Sequence, residues 1–245
     1  MPLFSLDNLV IVLVRPRNPL NIGAVARAMT NFGARTLRVV NPYALGFREA
    51  RSAVGASSIL KNAEEFKTVA EAVGDCSLVA GTTAVRHRAL NQPLRKLGDE
   101  SAGIFRGTLT DTRAAILFGS EKTGLSNDDF SHCHWLMTIP TRKENISMNL
   151  GQAVAVCLYE LARGAPSEES KETTEPATAA RTEQITECLL EALQISGFIK
   201  PGTHDMFERK TRQLILRFNL EAYDAKLLLG MARQIVWKLR LPEKR

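Results

Sequence analysis

The chain reads Ile139-Pro140-Thr141-Arg142-Lys143-Glu144-Asn145-Ile146-Ser147-Met148-Asn149-Leu150 before an apolar run, and no other stretch of it is as informative. An apolar strand ends at Pro140, a polar loop follows, and Ser147-Met148-Asn149 leads into a helix predicted over Leu150 to Leu161. Such a loop can offer a helix N-terminus and free backbone groups to a ligand at the edge of a sheet. A plainer interpretation stays open, because Ser and Asn before a helix are ordinary N-caps.

A second segment, Ile116 to Ser126, runs from a buried-type strand into a turn that holds Gly119 and Gly124. Glycine suits positions where the backbone needs positive φ or must approach a ligand closely. The two glycines match the first half of the phosphate-binding pattern G-x-x-x-x-G-K-[ST], but Leu125 stands where that pattern requires lysine. We therefore expect no nucleoside triphosphate here, and an ordinary strand-to-helix turn is the alternative.

A third segment, Asn18 to Gly33, follows the apolar strand Leu9 to Val14 and predicts a helix of small residues that ends at Gly33. Asn21 and Arg27 are its polar exceptions. They lie about 600° apart around the helix, so they are not on one stripe, and Asn21 is expected at or just before the first turn. A lone arginine on a helix is usually solvated or ion-paired.

Taken together, the three segments resemble the motifs of the SPOUT superfamily of RNA methyltransferases, in the same order. The resemblance is closest to the TrmH-like ribose 2′-O-methyltransferases and, within them, to the TrmJ subfamily, because a helical segment follows the catalytic part. It covers residues 1–163 in detail. One departure is Met148, where leucine is usual; a flexible apolar side chain should be tolerated there. The matching residues are Asn21 with Arg27, the Gly119-x-Glu121-x-x-Gly124-Leu125 turn, and the loop from Ile139-Pro140 to Ser147-Met148-Asn149.

The resemblance implies an α/β fold, with a parallel sheet, helices on both faces and a deep trefoil knot at the end of the domain. It implies a homodimer whose active site draws on both subunits. The implied reaction transfers a methyl group from S-adenosyl-L-methionine to a ribose 2′-hydroxyl of tRNA, at position 32 of the anticodon loop, without a metal. Another tRNA or rRNA nucleotide is the alternative target.

The resemblance also assigns roles to residues. Arg27 matches the catalytic arginine, either as a strongly activated base or as a bidentate clamp on a phosphate; the clamp is physically easier, because a guanidinium is a very weak acid. Asn149 would orient Arg27 or the hydroxyl, and Asn21 and Glu121 would support it, with Glu121 holding the arginine. The residues expected around the cofactor are Thr82, Thr83, Ala84, Gly119, Gly124, Ile139, Ile146, Ser147 and Met148.

Independently of the resemblance, strands alternate with helices along the first part of the chain. This alternation predicts a parallel sheet covered on both faces, with ligands beyond the carboxyl ends of its strands. The predicted strands are Leu9–Val14, Thr36–Val40, Ser77–Gly81, Ala114–Phe118 and Trp135–Ile139, and the predicted helices are Ile22–Phe32, Ala63–Val73 and Leu150–Leu161.

Composition agrees with a globular protein of one or two domains, since 44% of the 245 residues are apolar. The four cysteines are scattered, which suggests free thiols in a reducing compartment. His132-Cys133-His134 has metal-ligating residue types but lacks a second ligand pair, so we expect no metal there. The N-terminal residues do not resemble a signal peptide, and no apolar stretch is long enough for a membrane span. A cytoplasmic location is expected.

The last third of the chain changes character twice. Residues 164–180 are rich in Gly, Pro, Ser, Thr, Ala and Glu, which predicts a flexible linker. Residues 181–245 then predict a helical domain with 12 Lys and Arg against 8 Asp and Glu. These positive charges could form a tRNA-binding surface that also supports the dimer, or they could simply be a solvated helix face.

Two other function classes share features with this sequence. A dinucleotide-dependent oxidoreductase would share the parallel sheet, but no G-x-G-x-x-G follows the first strand. An RNA-binding protein that has lost catalysis would share the fold, but Arg27, Asn149 and the glycine turn favour activity. Measuring whether the protein binds NAD or S-adenosylmethionine distinguishes an oxidoreductase from a methyltransferase. A methylation assay on tRNA distinguishes an active enzyme from an RNA-binding protein that has lost catalysis.

Overall fold

The computed structural model describes residues 4–42, 53–84, 92–142, 144–163, 175–200 and 202–241. Within these ranges seven strands form one sheet in the order β3-β2-β1-β6-β4-β7-β5, and every neighbouring pair is parallel. The α/β class and the parallel sheet are therefore confirmed. The strands are β1 (Leu9–Val14), β2 (Thr36–Val40), β3 (Glu64–Phe66), β4 (Cys76–Thr82), β5 (Leu94–Lys96), β6 (Arg113–Phe118) and β7 (Trp135–Thr138).

The helices lie between and after these strands. The first of them begins as its sequence predicts, because the Asn18 side chain caps it by accepting from the Leu20 N–H, Pro19 occupies the first turn, and Gly33 ends it at φ 79°. The helices are α1 (Pro19–Phe32), α2 (Ser57–Lys61), α3 (Val69–Val73), α4 (Asp99–Leu109), α5 (Asn127–Ser131), α6 (Leu150–Ala162), α7 (Ala179–Ile195), α8 (His204–Arg217) and α9 (Ala222–Arg240).

Strand β1 is buried along its whole length, because helices cover both faces of the sheet. Ile11 and Leu13 belong to the cluster that includes residues of α1, α4 and α6, whereas Val10 and Val12 belong to the cluster that includes residues of α3 and α5. Successive side chains of a strand point to opposite faces, so an uninterrupted apolar run is what a doubly covered central strand requires.

The helix predicted over Ala63–Val73 is wrong in its first half, and only Val69–Val73 is helical. Glu64–Phe66 pairs in parallel with β2 as an edge strand, and the Arg38 Nε of β2 donates to the Glu64 carboxylate at 2.8 Å. The helix starts only after Thr68, whose side chain and Glu71 form a reciprocal capping box. Pairing with a neighbouring strand thus outweighs the local helical pattern.

The C-terminal helices α7, α8 and α9 form a small all-α unit with its own apolar cluster. Arg212 connects this unit to the sheet domain, because its guanidinium donates to the Ser131 hydroxyl of α5 at 2.8 Å. The same guanidinium donates to both carboxylate oxygens of Glu183 in α7 at 2.8 Å. Within the part of the chain that the structure describes, no helix is long and apolar enough to cross a membrane.

The predicted linker needs one correction at its end. Residues 164–174 lie outside the described residues, whereas residues 175–180 make backbone hydrogen bonds and include the start of α7. The Ala177 N–H donates to the Leu220 carbonyl at 2.9 Å, the Ala222 N–H donates to the Glu175 carbonyl at 2.7 Å, and the α7 helix begins at Ala179. A polar composition does not prevent order where backbone groups find partners.

Candidate active site

A cavity of about 600 Å³ opens where strands β4, β6 and β7 end. This is the edge at which the sequence predicts a ligand, and the volume suits a small molecule or cofactor. The cavity is lined by Asn21, Thr82, Thr83, Ala84, Phe118, Gly119, Ser120, Glu121, Lys122, Thr123, Gly124, Leu125, Phe130, Met137, Ile139, Ile146, Ser147, Met148, Asn149, Leu150 and Ala153.

All nine residues predicted to surround a cofactor line this one cavity, and so do Asn21, Glu121 and Asn149. They come from segments far apart in the sequence: the start of α1, the ends of β4 and β6, and the loop that precedes α6. At least one polar group among them is already hydrogen-bonded within the chain. The Thr82 hydroxyl donates to the Leu117 carbonyl at 2.9 Å, so it fastens the end of β4 to β6.

The glycine turn after β6 folds tightly upon itself. Gly124 has a positive φ of 68°, one of the two conditions that favour glycine in such a turn. Its N–H donates to the Ser120 carbonyl at 2.7 Å. Gly119 is needed for a different reason. A Cβ on Gly119 would lie 2.1 Å from the Gly124 carbonyl carbon and 2.2 Å from the Leu125 nitrogen. Close approach of the turn's own backbone, not of a ligand, therefore excludes a side chain at Gly119.

A row of hydrogen bonds joins the three motifs beside the cavity. The Glu121 carboxylate accepts from Asn21 Nδ2 at 2.9 Å and from the N–H groups of Arg17 and Asn18 at 2.9 and 3.2 Å. Asn21 Oδ1 in turn accepts from Asn149 Nδ2 at 3.0 Å. Asn149 Oδ1 is the N-cap of α6, since it accepts from the Gly151 N–H at 2.9 Å. The cap fixes which way the Asn149 amide points.

The Glu121 carboxylate is ionised in this arrangement. Burial raises its pKa, but the hydrogen bonds from Asn21 and from the backbone N–H groups of Glu121, Arg17 and Asn18 outweigh that effect and leave the pKa below its usual value. Glu121 is therefore an acceptor that orients Asn21, not a proton donor near neutral pH.

Close contact between α1 and α6 sets the distance between Asn21 and Asn149. A Cβ on Gly151 would lie 2.7 Å from the Ala24 Cβ, so only glycine allows the two helices to approach this closely. The small residues of α1 indicated close packing, but the matching need for a glycine at Gly151 was not recognised from the sequence. The signal available in the sequence is a glycine two residues after Asn149, in the first turn of the predicted helix.

Arg27 is exposed on α1 and does not line the cavity. The bonds expected to hold it go elsewhere: Glu121 binds Asn21 and two backbone N–H groups, and Asn149 binds Asn21 and caps α6. Among the described residues Arg27 makes no hydrogen bond or ion pair, so its guanidinium is available to a group outside this chain.

The cluster His132-Cys133-His134 has structural contacts. His134 Nδ1 accepts from the Val79 N–H at 3.1 Å, and burial lowers the pKa of His134 to about 4. The Cys133 thiol points at the Asp129 carbonyl, and burial raises its pKa. A neutral His134 and a protonated Cys133, each in contact with a backbone group, give both residues a structural role. The four cysteines are free, as expected.

The parallel sheet, the cavity at its carboxyl edge and the hydrogen bonds between the three motifs agree with the methyltransferase class that the sequence resembles. The model of the SpoU rRNA Methylase family matches residues 8–159, and the chain belongs to this family.

Full-length relatives support this membership. The chain is 34% identical to tRNA (cytidine/uridine-2′-O-)-methyltransferase TrmJ of Cronobacter sakazakii over 94% of this chain and 96% of that protein. It is 32% identical to the crystal structure of TrmJ from Z. mobilis ZM4, with a TM-score of 0.80 over 92% of this chain and 98% of that one. A probable methylase family protein from Haemophilus influenzae is also 32% identical, with a TM-score of 0.61.

Proposed function

We propose that this chain is an S-adenosylmethionine-dependent tRNA ribose 2′-O-methyltransferase. The observation that carries the proposal is the row Glu121–Asn21–Asn149, which brings all three motifs to the rim of a cavity of about 600 Å³. The full-length relative from Cronobacter sakazakii bears the name of this activity, and its similarity extends through the C-terminal helices.

The cavity fits the proposed methyl donor in size and in the character of its walls. Apolar side chains such as Leu125, Ile139 and Met148 can pack against an adenosine, and the glycine turn and the loop at Ile146 to Met148 supply backbone groups. When bound, S-adenosylmethionine supplies a methyl group on a positively charged sulfur, so no metal is required. The chain's task is to align the acceptor oxygen with that carbon and to exclude water.

On the acceptor side, Asn21 and Asn149 present carboxamides whose orientation Glu121 and the α6 cap determine. We assign Arg27 to the RNA, as a bidentate clamp on a phosphate next to the reacting ribose. Its guanidinium is exposed, and fork-shaped donors match phosphate geometry. A base role for Arg27 is the second possibility and demands strong activation, for which the described residues offer no partner.

The proposal includes a homodimer and a trefoil knot. Arg27 lies outside the cavity of its own chain, which favours its action at the cavity of a partner chain. The loop before α6 returns to the ends of β4 and β6, and α6 then packs on α1; this path is what a knotted chain end would follow. Sedimentation equilibrium tests the dimer, and a mixture of Arg27→Ala and Asn149→Ala subunits tests the shared site by recovery of activity.

The C-terminal unit, residues 179–241, is assigned to tRNA binding and dimer support, and the enzyme to the cytoplasm, where tRNA is modified. Lys210, Arg217 and Arg233 are exposed and could neutralise phosphates. Position 32 of the anticodon loop is the proposed nucleotide, with another tRNA or rRNA position as the alternative.

The test is methyl transfer from labelled S-adenosylmethionine to unmodified tRNA, followed by mapping of the methylated nucleotide. Labelled ribose at position 32 is the expected result. Binding of S-adenosylmethionine and tRNA without transfer would instead indicate an RNA-binding protein that has lost catalysis. Binding of NAD in place of S-adenosylmethionine would indicate an oxidoreductase.

A further inference from the structure

Arg15 occupies an unusual backbone position beside the cavity. It follows the last residue of β1 and has φ 51°. Only two other non-glycine residues in the described ranges have positive φ, and both are asparagines, Asn41 and Asn219, a type that tolerates this conformation. An arginine there is strained, and such strain persists only where other contacts hold it.

Two contacts hold Arg15. Its backbone N–H donates to the Val40 carbonyl at 2.8 Å, and its side chain forms an ion pair with Asp129 of α5. Arg15 Nη1 donates to Asp129 Oδ1 at 3.1 Å, and Arg15 Nη2 donates to Asp129 Oδ2. The Asp129 side chain is only 4% exposed. A two-point pair between a guanidinium and a nearly buried carboxylate fixes both orientation and distance.

Asp129 lies in α5, the helix that directly follows the glycine turn. Its Oδ2 also accepts from the Ser126 N–H at 2.6 Å and from the Ser126 hydroxyl at 2.8 Å, and Ser126 directly follows Leu125. Leu125 and Phe130, on either side of this capping box, line the cavity. The ion pair therefore holds the point at which the turn enters α5.

The same stretch of chain holds the turn at its other end. After the left-handed residue Arg15, the N–H groups of Arg17 and Asn18 donate to the Glu121 carboxylate at 2.9 and 3.2 Å. Residues 15–18 therefore contact the turn region at two points. The Arg15 side chain binds Asp129, and the backbone N–H groups of Arg17 and Asn18 bind Glu121. A shift of Arg15 would move both points together.

We infer that Arg15 is a positioning residue that keeps the glycine turn in the shape that binds the methyl donor. The inference rests on the proposed location of S-adenosylmethionine in the cavity. Without the Arg15–Asp129 pair the turn samples other shapes in the free protein, and only molecules whose turn has the binding shape can bind the donor. The apparent dissociation constant therefore rises in proportion as the fraction of such molecules falls.

The experiment compares Arg15→Gly and Arg15→Lys in the full chain. Glycine accepts φ 51° without strain, so Arg15→Gly removes the ion pair without adding backbone strain. We expect the dissociation constant and the KM for S-adenosylmethionine to rise roughly three- to tenfold, with kcat at saturating donor and the KM for tRNA within about twofold. Arg15→Lys, which keeps one charge but not the fork, should fall in between.

Arg35→Ala is the matched control, because its ion pair with Asp7 at 3.4 Å is largely exposed and involves no cavity residue. It should leave every parameter unchanged. A lower melting temperature for Arg15→Gly with unchanged donor affinity would overturn the inference, since it would make the pair merely structural. A raised KM for tRNA alone would also overturn it, by assigning Arg15 to the RNA.

Gly119→Ala separates this inference from the proposed function. If Gly119→Ala weakens donor binding and Arg15→Gly does not, only the role of Arg15 is refuted. If the folded Gly119→Ala protein binds the donor normally, the cavity is not the donor site and the proposed location fails.

Discussion

Two glycines of one turn should respond very differently to the same added methyl group. In Gly119→Ala the new Cβ would lie 2.1 Å from the Gly124 carbonyl carbon and 2.2 Å from the Leu125 nitrogen, both of them backbone atoms. In Gly124→Ala the new Cβ meets no atom within 4 Å, so the only penalty is the positive φ of 68°.

The magnitudes follow from these geometries. A non-glycine residue in the left-handed region costs roughly 1–2 kcal/mol, which predicts a modest loss for Gly124→Ala. Normal carbon contacts are about 3.5–4 Å, so Gly119→Ala forces the two strands of the turn apart by more than about 1 Å. Overpacking of that size costs roughly 3 kcal/mol or more, because backbone cannot move aside as a flexible side chain can.

The assay is calorimetric titration of both variants with S-adenosylmethionine, together with thermal unfolding. In each variant the turn relaxes to a different shape in the free protein and must return to the binding shape when the donor binds. Part of the conformational penalty therefore appears as a less favourable free energy of donor binding. We expect a loss of up to about tenfold for Gly124→Ala and of at least about a hundredfold for Gly119→Ala. The reasoning is refuted if Gly119→Ala binds the donor within twofold of the native protein, or if Gly124→Ala is the more damaging change.

Arg27→Ala should lower turnover by two or more orders of magnitude while S-adenosylmethionine affinity stays within a few-fold, because Arg27 does not line the cavity; collapse of donor affinity in a titration would show that this role is wrong. Replacement of Lys210, Arg217 and Arg233 by glutamine should weaken tRNA binding and reduce its salt dependence, since fewer phosphates are neutralised; filter binding over a salt series measures both, and an unchanged slope would leave these charges as a solvated face. Burial lowers the pKa of His134 to about 4, so the unfolded state binds the proton first as pH falls below about 6.5, and stability should drop by roughly 2 kcal/mol at pH 5; urea unfolding of the native protein and of His134→Gln at pH 7.5 and 5 tests this, and equal losses in both would contradict it. Burial raises the pKa of Cys76 and of Cys157 to about 12 and also raises that of Cys133, so at pH 8 a thiol reagent should modify only the half-buried Cys188 in the folded protein; rapid reaction of a second thiol would show that the core opens more readily than its burial indicates.

Local pattern was sufficient for the central strands and for the helices that flank the site. The predicted bounds Leu9–Val14 and Thr36–Val40 agree with those of β1 and β2, and the α6 helix begins at Leu150 as expected. These elements are long, apolar and bounded by strong stop signals, so each is specified by its own residues. The order of motifs likewise indicated one cavity at the carboxyl edge of the sheet.

Local pattern failed where a partner distant in sequence determines the structure. Residues 64–66 form a strand because Arg38 and its neighbours lie alongside them, although the segment's own pattern favours a helix. The end of the predicted linker is ordered because Leu220 and Gly74 supply carbonyls to it. Neither partner can be identified from the residues next to these segments.

The amino-acid sequence by itself determined the residue types at the cavity: a glycine turn, a Ser-Met-Asn loop and a capped small-residue helix. Only the tertiary structure decided what each of them contacts. In the structure Asn21 is hydrogen-bonded to Asn149, 128 residues away, and Glu121 binds Asn21 rather than Arg27. Glycine is required at Gly119 because the backbone of the turn leaves no room for a side chain, which no sequence pattern shows. Hydrogen bonds and close contacts depend on distances of a few tenths of an ångström, and those distances are set by the packing of whole helices and strands.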